Sequence, residues 1–118
     1  GYVNEVKKCL GEFFAHDIEF GTFIERTGKT KIEKVKGRKN KAYKGKLVIL
    51  VDEESFSGSE IFARLIQENK RGQVVGIQTK GLVLNSIEYG LPENFRASIA
   101  FRDYLSPKGY RIESKGVT

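Results

Sequence analysis

The sequence predicts an α/β fold organised round a central strand, helix, strand unit, and three observations predict it. Residues 47–51 read LVILV, apolar at consecutive rather than alternate positions, the pattern of a strand covered on both faces in the middle of a sheet. Ser57 and Glu60 then form an S-x-x-E capping box, opening a segment in which Ile61, Phe62, Leu65 and Ile66 fall on one stripe with Gln67, Glu68 and Lys70 opposite. GQVVGI at 72–77 is a second buried strand, so that 47–77 makes a βαβ unit.

The remaining elements follow in chain order. YVNEVKKCLGEFFA (2–15) places Val3, Val6, Leu10, Phe13 and Phe14 at helical spacing and reads as an amphipathic helix despite Gly11. IEFGTFIER (18–26) and TKIEKVKG (30–37) read as strands joined by a TGK turn, and GRKNKAYKGK is a polar connector. Beyond the central unit, 82–90, 96–106 and 110–113 read as strands, with LPEN and SPKG as turns. No repeat, low-complexity tract or domain boundary interrupts the chain.

Composition bounds the function. A chain of 118 residues with 39% hydrophobic content is one domain long and builds a core without staples. One cysteine and one histidine supply neither an internal disulfide nor the ligand set of a structural zinc, so no metal and no cofactor are expected. No run has transmembrane length, and the N-terminus lacks the pattern of a signal peptide. The chain has no initiator Met and opens directly on a helix, so it reads as part of a longer protein. The net charge of +6 is uneven: ten Lys and Arg stand against the single Glu33 between Arg26 and Lys46, which carries +9, and the remainder carries −3. Such a block serves either as a phosphate-binding stripe or as the solvated, charged edge by which a sheet avoids edge pairing, and the edge reading is preferred.

Among candidate motifs, Ser57 carries two compatible readings. As a helix cap it satisfies backbone N–H groups; at the turn from a buried strand into a helix it also presents its hydroxyl at the carboxyl edge of the sheet, where open α/β sheets place their sites. The N–H of Gly58 points with the positive end of the helix toward any oxyanion formed there. TGKT (27–30) is no phosphate loop, since Phe23 stands where the first glycine belongs, and Ser55 occupies the first glycine of a G-x-S-x-G elbow. His16, just past the first helix, reads as a helix C-terminal charge partner and Cys9 as a small core residue.

The stretch GKLVILVDEESFSGSEIFARLIQENKRGQVVGIQTKG resembles the core of the C-terminal processing, or tail-specific, serine peptidases, in which a buried strand ends in S-x-S-x-S-E, a helix follows, and R-x-x-V-V-G-x-x-T-x-G comes after. The likeness extends over essentially the whole chain, from a glycine-loop end at Gly1 to FRDYLSPKGYRIESKGVT. It implies a crotonase and Clp-protease-like α/β fold, of which residues 1–118 form the nucleophile-bearing part of the catalytic domain. A PDZ domain and the rest of the catalytic domain would lie elsewhere in the parent protein, in an extracytoplasmic setting. By position, Ser57 is the nucleophile, Gly58 an oxyanion donor and Gly1 the second donor. Where the bacterial processing enzymes carry a lysine, in T-x-G-K-G, this chain has Leu82, and a glutamine four residues later is replaced by Ser86. Lys80 restores the lysine only through a two-residue deletion.

A branch similar to the tricorn protease core dispenses with that lysine, and T-K-G-x-V-L-x-S with R-I-E-x-x-G-V-T is closer to it, placing Glu113 as the glutamate of a Ser-His-Glu set. That alignment needs no gap and is preferred. Its histidine would lie before Gly1, so the isolated chain is expected to be inactive or nearly so. The expected activity is endopeptidase cleavage of peptide or protein substrates. The alternative is a non-catalytic module, either a peptide-docking pseudo-peptidase or, less favoured, a basic nucleic-acid binder. On the triad alignment Glu113 should fold back near Ser57 and Leu82 should be core; on the deletion alignment Lys80 should point at Ser57.

Overall fold

Backbone pairing sorts the strands into two sheets that share one core. The structure, a computed structural model, describes residues 2–118. Helix α1 (Tyr2–Gly11) is followed by β1 (Ile18–Glu25) and β2 (Thr30–Val35), a short 3-10 turn (Lys39–Lys41), then β3 (Val48–Val51), helix α2 (Gly58–Glu68) and β4 (Gln73–Gly76). β5 (Asn85–Gly90) and β6 (Arg96–Leu105) close the chain's regular structure. One sheet is antiparallel in the order β2-β1-β6-β5, and the other is the parallel pair β3-β4 with α2 as its crossover, which is the expected βαβ unit.

Residues of α1, α2 and the antiparallel sheet belong to one buried cluster. Ile61, Leu65 and Ile66 of α2 are fully buried together with Leu10 of α1 and Ile112. On the antiparallel sheet, Phe20, Phe23 and Tyr104 pack as a trio with ring centroids 5.6–6.1 Å apart. The Tyr104 hydroxyl donates to the Phe20 carbonyl at 2.5 Å, which satisfies a polar group that would otherwise be stranded in the core. Burial, and secondarily the charge of Glu68, pushes that hydroxyl above its ordinary pKa of 10.0.

Several elements depart from the sequence reading. β3 is not central: it pairs with β4 alone among the described residues, and Val48 and Leu50 are 54% and 79% exposed. β4 is likewise open on one side, with Val75 and Ile77 exposed. A run of consecutive apolar residues has no period, so it gives no sign that only one of its faces meets α2. Helix α1 stops at Gly11, and Glu12 and Phe13 continue only as a turn on Cys9 and Leu10. The final strand expected at 110–113 is reduced to one bridge, Leu105 to Arg111. Residues 82–84, expected as the start of a strand, are held instead by carboxylates.

Candidate active site

The polypeptide enters the site through a tight turn after β3. Asp52 organises it, its carboxylate accepting from the Glu54 N–H at 3.0 Å and the Ser55 hydroxyl at 3.2 Å. Ser57 follows at φ 59°, ψ −125°, a backbone normally left to glycine, and caps α2. It is half-buried at the helix N-terminus, as the sequence predicts. Gly58, at the first helical position, has an N–H with no intrahelical acceptor. A β-carbon there would come within 2.7 Å of Val6 and 3.2 Å of the Tyr2 ring, so glycine is what lets α1 seat on the turn.

Glu60 ties this turn to the segment beside it. Its side chain is fully buried and accepts from the N–H groups of Ser57 (2.9 Å), Gly81 (2.6 Å) and Leu82 (3.0 Å) and from the Thr79 hydroxyl (2.6 Å). The capping box is thus present, but it is a fraction of the residue's work. The Ser57 N–H also reaches the Leu82 carbonyl at 2.9 Å, and the Lys80 N–H reaches the Ser55 carbonyl at 3.0 Å, so residues 79–82 run along the serine turn.

The chain's end is laced to the far side of that segment. Thr79 N–H donates to Val117 O, Val117 N–H to the Thr79 hydroxyl, and Ser114 N–H to Gly81 O, at 2.7–3.0 Å. Gly116, at φ 72°, permits the approach, because a β-carbon would lie 2.3 Å from the Thr79 carbonyl oxygen. This lacing carries Glu113 inward. Glu113 is buried and its Oε2 accepts from the N–H groups of Val83 at 2.7 Å and Leu84 at 3.1 Å.

Ser57 and Glu113 consequently line one open cleft of about 390 Å³, with Phe56, Leu82, Leu84 and Ser98 among its walls. Lys80 is not among the lining residues; it is exposed, with Nζ 5.6 Å over the Phe56 ring. Gly1 lies outside the described residues. His16 is exposed beyond α1, its backbone packed on Gly37, and does not line the cleft. Two expectations are corrected. Leu82 is 48% exposed and Val83 is the core residue, because the carboxylates hold 82–84 extended and alternation turns Leu82 and Leu84 outward. Cys9 is exposed, since α1 presents Leu10 to the core and half-buried Val3 and Val6 against it. Sequence reasoning also missed Glu60 as more than a cap; the T-x-G at 79–81, a hydroxyl and a glycine N–H two residues apart, was the available signal.

The model of peptidase family S41 matches residues 1–118. The chain belongs to peptidase family S41. It is 32% identical over 71 residues to a carboxyl-terminal-processing protease of Picosynechococcus sp., covering 60% of this chain and 17% of that protein. A second relative, "Probable CtpA-like serine protease" of Staphylococcus haemolyticus, is 32% identical over 80 residues, 66% of this chain and 16% of its own length. The S41 chain therefore spans about a sixth of the curated relatives it matches. Among solved structures, the photosystem II D1 C-terminal processing protease superposes with a TM-score of 0.79 at 22% identity, covering 98% of this chain and 29% of that one. Mature CPAF complexed with lactacystin gives 0.79 at 14% identity over 95% and 35%. These neighbours share the α/β, Clp-protease-like fold expected from the resemblance.

Proposed function

We propose that residues 1–118 are the nucleophile-bearing part of a serine endopeptidase domain that cleaves peptide bonds through an acyl-enzyme on Ser57. The observation that carries this reading is the shared cleft: half-buried Ser57 at a helix N-terminus and the buried carboxylate of Glu113 line the same opening. In the proposed reaction Ser57 Oγ attacks the substrate carbonyl carbon as its proton passes to a base. The tetrahedral oxyanion is met by the Gly58 N–H and the α2 dipole, with Gly1 as second donor. The C–N bond then breaks, the proton goes to the leaving amine, and water releases the acyl group.

Glu113 is anchored by two N–H groups, which fits the member of a triad that orients an imidazole and stabilises its cation rather than one that moves. The imidazole would come from a part of the longer protein that completes the domain, together with a PDZ domain, in an extracytoplasmic compartment. Among the described residues no helix is long and apolar enough to cross a membrane. The exposure of Lys80 weighs for Glu113 over the lysine dyad.

The test is peptide hydrolysis by the full-length protein and its variants. Ser57→Ala is expected to lower kcat by about 10⁴ or more and Glu113→Gln by about 10⁴, whereas Lys80→Ala changes it less than about tenfold. Residues 1–118 alone should bind peptide without turnover. Undiminished hydrolysis by Ser57→Ala would overturn the reading; a full-length protein that binds peptide but never cleaves it would make the chain a pseudo-peptidase.

A further inference from the structure

Apart from the Ser57 cleft, a groove of about 880 Å³ lies between α1 and the segment from Lys34 to Lys41, and it shares no residue with that cleft. One side of it is fastened in place: the N–H groups of Arg38, Lys39 and Tyr43 donate to the carbonyls of Phe14, Ala15 and Glu12 at 2.7–2.9 Å, so the basic connector is strapped to the segment that follows α1.

The charge in this groove is only partly neutralised. Lys7 is paired with Glu33, Arg38 with Glu12 at 2.5 Å, and Lys8 with Glu5 at 3.8 Å. Lys34, Lys36, Lys39 and Lys41 line the same groove, all exposed, and none has a carboxylate partner among the described residues. Four unpaired cations held along one fixed channel raise the local concentration of anions. The shape selects among polyanions. No aromatic side chain lines the groove, so it offers single-stranded nucleic acid no stacking surface. It is concave and presents no apolar wedge, unlike the basic amphipathic faces that lie on membranes. A narrow polypeptide bearing spaced carboxylates fits both the shape and the charge.

We propose that this groove docks an acidic, extended polypeptide segment. Resting on the peptidase reading, the segment belongs to the protein substrate and tethers it while another part reaches Ser57.

The experiment is fluorescence anisotropy of a fluorescein-labelled peptide of alternating Glu and Gly, titrated with the full-length protein at about 50 mM and about 200 mM salt. Expected is saturable binding that weakens at the higher salt and is absent for the Gln counterpart. Combined Lys34→Glu, Lys36→Glu and Lys41→Glu should weaken binding at least about tenfold, while Lys29→Glu, Lys70→Glu and Lys108→Glu together, the same charge change away from the groove, should weaken it less than about threefold. Circular dichroism checks that both variants fold. Equal losses in the two variants, no binding at all, or tighter binding to duplex DNA or to vesicles of phosphatidylcholine and phosphatidylserine would overturn the proposal. Ser57→Ala should bind the peptide as the unmodified chain does, so failure of the groove and failure of the catalytic reading are read separately.

Discussion

The two walls of the Ser57 cleft are built by opposite means. On one side the turn at 55–60 is fastened to residues 79–82 through Glu60, a fully buried carboxylate with four donors. On the other, the β5–β6 hairpin is held mainly by its cross-strand ladder, and Ile87, Tyr89 and Ile99 are 44–50% exposed. A saturated polar network in a dry interior permits one arrangement, whereas a ladder with its side chains in water tolerates many. The wall that bears the hydroxyl is the rigid one, and the wall that would meet a varied ligand is the adaptable one.

The largest effect that sharpens this contrast should come from Glu60. Glu60→Ala strands three N–H groups and the Thr79 hydroxyl inside the protein and is expected to destabilise it by about 3–5 kcal/mol, read as the shift in a urea midpoint. A loss below about 1 kcal/mol would break the comparison. Next comes Tyr104, at the root of the hairpin where β6 enters the core. Tyr104→Phe leaves the Phe20 carbonyl without its donor and should remove about 1–2 kcal/mol. Because burial raises the folded-state pKa of this tyrosine, its contribution is present below its ordinary value of 10.0 and is lost as pH rises above it. Tyr104→Phe should therefore flatten the alkaline decline in stability. The smallest effect is expected at the hairpin's outer end, where Tyr89→Ser should stay within about 0.5 kcal/mol.

The same contrast explains what could be read from the residues alone. That Ser57 opens a helix was legible from its own S-x-x-E box, whereas Glu113, 56 residues away, was brought toward it only by the family resemblance and by no local pattern. The helix after Ser57 was legible from its stripe. That β3 is a strand of a βαβ unit was legible too, but its place was not, since LVILV reads the same whether one face or two are covered, and only the partner strands decide it. The Leu82 and Val83 exchange was hidden for a related reason: the register of 82–84 is set by carboxylates on α2 and near the chain's end, not by anything within those residues. Nor did any pattern announce that Ser57 would lie at positive φ.

That backbone has a consequence for how position 57 behaves over many generations. Glycine reaches φ 59°, ψ −125° freely and a β-carbon resists it, so Ser57→Gly should stabilise the fold by about 1 kcal/mol. A lineage released from any demand on the hydroxyl would be expected to accept glycine here, gaining that stability in one replacement, so the residue at this position would gauge whether a given descendant still uses its hydroxyl.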